Sequence, residues 1–165
     1  MSLHGKTVLV AGGAGEVGEG IVRAFLDDGA VVVVPSRSQE KLDALRASLD
    51  DPDSLFTKPA DVGRESGAAT VRDWIDTEVG PLYAAVASLG SWWQGLPLTD
   101  VSLDTWHHLL DMGLTAHFVV AKTFLPVLAD RPGASYTLIN GGGGLTPIPG
   151  SGPISVSAAG QLMLK

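Results

Sequence analysis

The 165-residue chain contains no cysteine. A disulfide frame and thiolate chemistry are therefore excluded, and a reducing, cytoplasmic setting is expected. Positive charge is also scarce. Eleven Lys and Arg face eighteen Asp and Glu, for a net charge of -7. That balance argues against nucleic acid or an anionic membrane as the main partner. No apolar run reaches the length of roughly 20 residues that a membrane helix needs, and the N-terminal run TVLVA is too short for a signal peptide. Only four histidines occur: His4, His107, His108 and His117. None is paired at i, i+4 or set beside a carboxylate–histidine motif, so helix-face or interface positions are expected and no metal site. Repeats, charge blocks and linkers are absent, which makes residues 1–165 a single domain. Chemistry is thin at the C-terminal end. PISVSAAG at 153–160 holds no acid, base or strong nucleophile, no tyrosine follows Tyr136, and the only later lysine is Lys165.

Apolar residues make up 45% of the chain and charged ones 18%, enough for a soluble globule with a sizeable core. The patterning alternates strand with helix. Thr7–Ala11 (TVLVA) and Val31–Val34 (VVVV) read as buried strands, and Leu55–Lys58 as a weaker one. Leu82–Ala87 and Ser135–Asn140 complete a set of five. Helices are expected over 16–28, over 39–49 with Ser38 as N-cap, over 64–79, and over 104–128 with Asp104 as cap. A last helix begins near Ile154, after the Pro- and Gly-rich loop 141–153. Strand–helix alternation implies right-handed crossovers and a parallel sheet covered on both faces, a three-layer α/β/α fold.

The chemistry-bearing motif is GGAGEVG at 12–18, directly after a strand and opening a helix. Gly13, Gly15 and Gly18 satisfy G-x-G-x-x-G, while Gly12, Gly15 and Gly18 also fit a G-x-x-G-x-x-G spacing. Glycine there allows a tight turn and close approach of a pyrophosphate, which the helix N-terminus stabilises. Val17 lies inside this turn. An NAD site would place an acid at the end of the second strand, to bond the ribose hydroxyls. Here that position reads Pro35-Ser36-Arg37, and Arg37 suits a 2′-phosphate, which favours NADP over NAD. Glu16 opposes binding if it faces the phosphate, at a cost of roughly 3 kcal/mol for charges about 5 Å apart at an effective dielectric of about 20. Turned outward it gains roughly 0.3–1 kcal/mol from the helix dipole. Cofactor binding weakened rather than abolished is therefore expected.

With these pieces the chain resembles the short-chain dehydrogenases/reductases. TVLVAGGAGEVGEGI is similar to their T-G-x-x-x-G-x-G opening. PADVG at 59–63 resembles the segment that sets Asp61 and Val62 by the adenine. SLDTWHHLLDMGLTAHFVVAKTFLPVL at 102–128 is similar to their long fourth crossover helix, and 138–160 to their fifth strand and active-site loop. The resemblance implies a Rossmann-like doubly wound sheet of order 3-2-1-4-5, with the family's further C-terminal strands absent from this chain. It implies a dinucleotide cofactor, NADP in preference to NAD, and a small-molecule substrate that the sequence does not name. Of the family's Asn-Asn-Ala-Gly after the fourth strand only Gly90 remains, since the segment reads Ala87-Ser88-Leu89-Gly90.

The family's catalytic asparagine, serine, tyrosine and lysine fall on Gly113, Gly141, Ile154 and Ala158. In the family the tyrosine moves the proton while hydride moves to or from the nicotinamide, and the lysine lowers its pKa. Losing one general acid costs roughly 100- to 10,000-fold in rate. A pseudoenzyme with little standard carbonyl or alcohol oxidoreductase activity is expected; the alternative is an atypical NADP-dependent oxidoreductase with another proton donor. Asn140, Ser155 and Ser157 are the nearest polar groups and lack an activating base, so structural roles are expected for them. Trp92 and Trp93, after the fourth strand, either wall an apolar substrate pocket or pack on the domain. The apolar circumference of helix 104–128, with the C-terminal helix, leads to the expectation of a homo-oligomer.

Overall fold

The computed structural model describes residues 3–164, so Lys165 lies outside the described residues. The chain forms five parallel strands: β1 Thr7–Ala11, β2 Val31–Ser36, β3 Leu55–Pro59, β4 Leu82–Ala87 and β5 Ser135–Leu138. Their order in the sheet is β3-β2-β1-β4-β5, the expected doubly wound arrangement. Helices α1 Glu16–Asp27, α2 Gln39–Ser48, α3 Glu65–Trp74, α4 Leu103–Leu110, α5 Ala116–Ala129 and α6 Gly152–Leu162 connect or follow them.

The unbroken apolar strands explain the double layer, because successive side chains point to opposite faces. Leu9, Ala11 and Val33 enter one core, where Val71 of α3 and Val120 and Phe124 of α5 cover them. Val8, Val10, Val32 and Val34 enter the other, closed by Val22 of α1 and Leu42 and Leu45 of α2. The central residues of β1, β2 and β4 are thus buried whichever way they point, which is why β2 reads as a run of valines, while the edge strands β3 and β5 are partly exposed. Parallel pairing of β1 with β2 on one side and β4 on the other places the reversal of strand order at β1. In such sheets ligands lie outside the carboxyl ends of the strands at that point.

Four expectations need correction. The helix 104–128 is not one regular helix: α4 and α5 are joined by a π-helical turn, Asp111–Thr115. Its cap is not Asp104 but Ser102, whose Oγ accepts the Thr105 amide at 3.1 Å. The helix expected over 64–79 is α3, which ends at Trp74 and gives way to a second π turn, Ile75–Val79. A wider turn does not alter the apolar spacing enough to be read from sequence. Finally, the continuous helical stretch Leu103–Ala129, with mean hydropathy 1.5, is long and apolar enough to cross a membrane. Here Val119, Val120, Phe124 and Leu128 pack in one core with strand residues, and Leu109 is buried as well. Ser38 does cap α2, accepting the Lys41 amide at 3.2 Å.

Candidate functional site

The β1–α1 turn is built by close approach of backbone to backbone. Gly12 has φ +88°, and a Cβ there would strike the Ser88 carbonyl at the end of β4. Gly18 lies against the Gly12 carbonyl, so any side chain at 18 would push α1 off the turn. Gly13 is packed on Val34 and Val10 and plays the same spacing role inside. Helix α1 starts at N-cap Gly15, which has no side chain to cap it. The first intrahelical bond runs from the Glu19 amide to the Gly15 carbonyl at 2.8 Å. The amides of Glu16, Val17 and Gly18 precede it and have no intrahelical acceptor. They form a set of donors with the positive end of the helix dipole behind them, suited to a phosphate.

A cavity of about 290 Å³ opens in front of this turn. Gly12 and Gly15 form one wall, Ser36 and Arg37 at the end of β2 another, and Asp61 and Val62 after β3 a third. Gly90, in the segment after β4, closes the side toward α4. The structure therefore brings together seven of the ten positions expected to hold a cofactor. Gly13 and Gly18 sit behind the surface, and the Val17 side chain is 63% exposed and outside the cavity, leaving its amide as the group near the turn. Glu16 is exposed and is not a wall of the cavity.

Several polar groups are already committed. Asp61 Oδ1 accepts the Gly63 amide at 3.0 Å, which folds the β3–α3 turn around the carboxylate. Ser36 Oγ accepts the Ser38 amide at 3.2 Å, orienting the start of α2. Arg37 is exposed at the rim.

The walls also include residues that the sequence alone did not single out. Lys41 stands at the rim one helical turn beyond Arg37, and Arg64 caps α3 three residues after Asp61. Both were findable as cations spaced from a predicted site residue at the start of a helix. His108, expected on a helix face or interface, also lines the cavity, and Asp111, Met112 and Thr115 carry no such signal. His108 reaches the cavity from α4 and Asp111, Met112 and Thr115 from the π turn, while Gly113 faces α6, where the Ser157 side chain lies closest.

His117 departs from expectation. It is wholly buried rather than on a helix face or interface. Its Nε2 lies 3.2 Å from the Leu89 carbonyl, which only accepts, so Nε2 carries the proton. Nδ1 is left buried without a partner. Burial pushes its pKa below the ordinary 6.5, and the Leu89 bond opposes that shift without reversing it. This bond fixes the 88–90 segment against α5 and so sets one edge of the cavity.

The positions Gly113, Gly141, Ile154 and Ala158 are not among the cavity walls, although Gly113 adjoins the wall residues Gly90 and Met112. Around them the polar groups bond one another. Asn140 Nδ2 donates to the Ala158 carbonyl at 2.7 Å. Ser155 Oγ accepts the Ile148 amide at 3.1 Å, and Gln161 Nε2 donates to Ser157 Oγ at 3.3 Å. Trp92 is 62% exposed. The Trp93 carbonyl accepts from Ser151 Oγ at 2.7 Å, which ties the loop after β4 to the loop before α6. Among the described residues no group of three metal-ligating side chains occurs.

Comparison with known proteins gives the same picture of the fold. The short chain dehydrogenase profile matches residues 6–164. The chain is 29% identical over 139 residues to the short chain dehydrogenase/reductase dpfgG of Gibberella zeae, covering 84% of this chain and 52% of that protein. It is 30% identical over 166 residues to dehydrogenase/reductase SDR family member 4 of Bos taurus, covering 98% and 58%. The chain thus spans little more than half the length of these relatives. Among solved structures it resembles a short chain oxidoreductase from Pseudomonas aeruginosa PAO1 containing an atypical catalytic center. That match has a TM-score of 0.92 at 22% identity, over 99% of this chain and 63% of the other.

Proposed function

Starting from the short-chain dehydrogenase family, to which this chain belongs, we propose that it binds NADP(H) in preference to NAD(H) and has little or no standard carbonyl or alcohol oxidoreductase activity. Family membership implies a nicotinamide dinucleotide cofactor, and the residues present suit one. Gly12 allows the turn to pack against the Ser88 carbonyl beside the cavity, and the uncapped start of α1 offers amide donors to a pyrophosphate. Asp61 and Val62 stand at the adenine side.

The observation that carries the choice of NADP is the end of β2. Ser36 and Arg37 form the cavity wall there, Lys41 stands beside them, and the β2 end contributes no carboxylate to that wall to bond a free 2′-hydroxyl. A guanidinium with an adjacent hydroxyl and ammonium suits a phosphate dianion.

Bound NADP(H) would supply a hydride. The chain would have to position a proton donor beside it, and the residues at the expected positions, Gly141, Ile154 and Ala158, carry no transferable proton on their side chains. The neighbouring Ser155 and Ser157 are buried and hydrogen-bonded within their own segment. These features support a binding protein rather than an efficient reductase. The test is NADPH oxidation with a panel of aldehydes and ketones at saturating cofactor. A rate near that of the bovine or fungal relatives, unaffected by substitution at 141, 154 and 158, would refute the reading.

Assembly into at least a dimer is part of the proposal. Most of the apolar residues that suggested an interface are used in the core. Phe118 at 49% exposure and Leu125 at 43%, seven residues apart on α5, together with Val156 at 47% on α6, remain outward and support a helix-to-helix contact.

A further inference from the structure

We infer that His117 is a positioning residue for the dinucleotide: through the Leu89 carbonyl it holds the Ser88–Gly90 segment in the shape that takes the ligand, so that ligand and proton compete for the chain. The inference rests on the NADP reading above and adds a residue that is not itself a wall of the cavity.

Ser88, Leu89 and Gly90 are three successive walls of the cavity. Ser88 is fixed from the side of β1. Its amide donates to the Ala11 carbonyl at 2.8 Å, and its own carbonyl lies where a Gly12 side chain would begin. The next polar tie to the rest of the chain is at Trp93, whose carbonyl accepts from Ser151 Oγ. Between the two, the bond from His117 Nε2 to the Leu89 carbonyl is the one hydrogen bond among the described residues. Gly90 has φ +110° and lies against the π turn, where a Cβ on it would be 3.7 Å from Gly113 Cα. Glycine has a wide choice of backbone angles, so the course of the segment depends on what holds Leu89. The Leu89 side chain packs on the core, and His117 ties its carbonyl.

His117 is wholly buried, and the neutral imidazole with its proton on Nε2 makes this bond. Nδ1 is buried without a partner among the described residues. A proton added there would be a buried charge with nothing to accept it. The surrounding elements do not offset it. Neither α6 nor the 88–90 segment has a titratable residue. On α5, Lys122 is exposed and bonded to the exposed Glu65 of α3; farther along α3, Arg72 and Asp73 bond each other. Asp111 on the π turn and Asp104, His107 and His108 on α4 are exposed. Tyr136 on β5 keeps its proton up to about pH 12. The proton is therefore accommodated when the imidazole leaves its place, which breaks the Leu89 bond and releases the segment. A ligand that needs the held segment disfavours the proton, and by linkage the proton disfavours the ligand. The effect is confined to pH below about 6.5, where a released imidazole is protonated, and vanishes above it. One net hydrogen bond sets the released-to-held ratio near about one to ten. At about pH 5 protonation raises that ratio about thirtyfold, which weakens binding about fourfold.

The test is isothermal titration of the 165-residue chain with NADP+, which withstands acid, at about pH 7.5 and about pH 5. His117→Gln keeps a donor and does not titrate, and His117→Leu has no donor. Circular dichroism at both pH values checks that each chain is folded. Between the two pH values the unmodified chain loses about fourfold more affinity than His117→Gln. The 2′-phosphate titrates near about pH 6 and acts on both alike. At the higher pH, His117→Gln binds within about twofold of the unmodified chain, and His117→Leu more than about threefold more weakly. By NMR, the His117 imidazole of the unmodified chain takes up its proton at lower pH with saturating NADP+ than without it. Parallel pH profiles for the unmodified chain and His117→Gln, unchanged affinity in His117→Leu, or an imidazole titration that NADP+ does not move would each overturn the inference while leaving the NADP reading in place. Failure of the unmodified chain to bind NADP+ at the higher pH would overturn both.

Discussion

Replacing Arg37 by alanine isolates the charge that separates NADPH from NADH. Arg37 is exposed at the end of β2, so its interaction with a 2′-phosphate belongs at the high-dielectric limit. Two unit charges 4 Å apart in water are worth about 1 kcal/mol, and a phosphate carrying about -1.5 to -2 brings this to about 1.5–2 kcal/mol. At 1.4 kcal/mol per decade, that is a loss of about 10- to 30-fold in NADPH affinity. NADH has no phosphate at this position, so its affinity changes less than about twofold by the same reasoning. Lys41 remains at the rim and retains part of the preference, which the double variant with Lys41→Ala removes. The assay is titration of both cofactors at about 50 mM and 300 mM salt. The advantage of the unmodified chain for NADPH shrinks at the higher salt, because an exposed contact is screened over about 6–14 Å. An NADPH-to-NADH ratio unchanged by Arg37→Ala would refute the placement of the phosphate at this wall.

Three more outcomes follow from side chains outside that wall. His117 is neutral in the fold, with its pKa pushed below 6.5 by burial, while the unfolded chain takes up a proton there. Its contribution is therefore complete above about pH 6.5 and declines as pH falls below it; in urea titrations His117→Gln shows a shallower decline than the unmodified chain, and parallel curves would sink the idea. Tyr136 on β5 has its hydroxyl buried without a partner among the described residues, and burial pushes its pKa to about 12. Tyr136→Phe removes an unsatisfied donor, so chemical denaturation shows no loss and a gain of up to about 1 kcal/mol; a loss above that figure would reveal a bond that the geometry does not contain. The paired substitution Phe118→Glu with Leu125→Glu places charge on the outward stripe of α5 and lowers the sedimentation mass toward that of the monomer without changing the circular dichroism; an unaltered mass rules that face out as the interface.

Much of the fold was legible in the residues themselves. Runs such as TVLVA and VVVV can be satisfied only where both faces are buried, and that requires helices on both sides of a parallel sheet. The glycine turn was equally legible as a pattern, although Gly18 is demanded by the nearby Gly12 carbonyl and Gly12 by the distant Ser88 carbonyl. Lys41 and Arg64 stood within one turn of residues already singled out, yet only the cavity showed that they share it. Other features depended on contacts between distant segments. The π turn at 111–115 is not encoded by apolar spacing, and it is what turns Asp111 and Thr115 toward the cavity and Gly113 toward Ser157. Sequence spacing puts His117 on a helix face or at an interface. Only the approach of α5 to the segment after β4 buries it and gives its Nε2 the Leu89 carbonyl. The sequence by itself determined the layered sheet, the glycine turn and the shortage of proton donors near the C-terminus, since each follows from local residue type and spacing. Tertiary structure decided which groups share the cavity and which residues are packed away from it, because those depend on where elements dozens of residues apart come to rest.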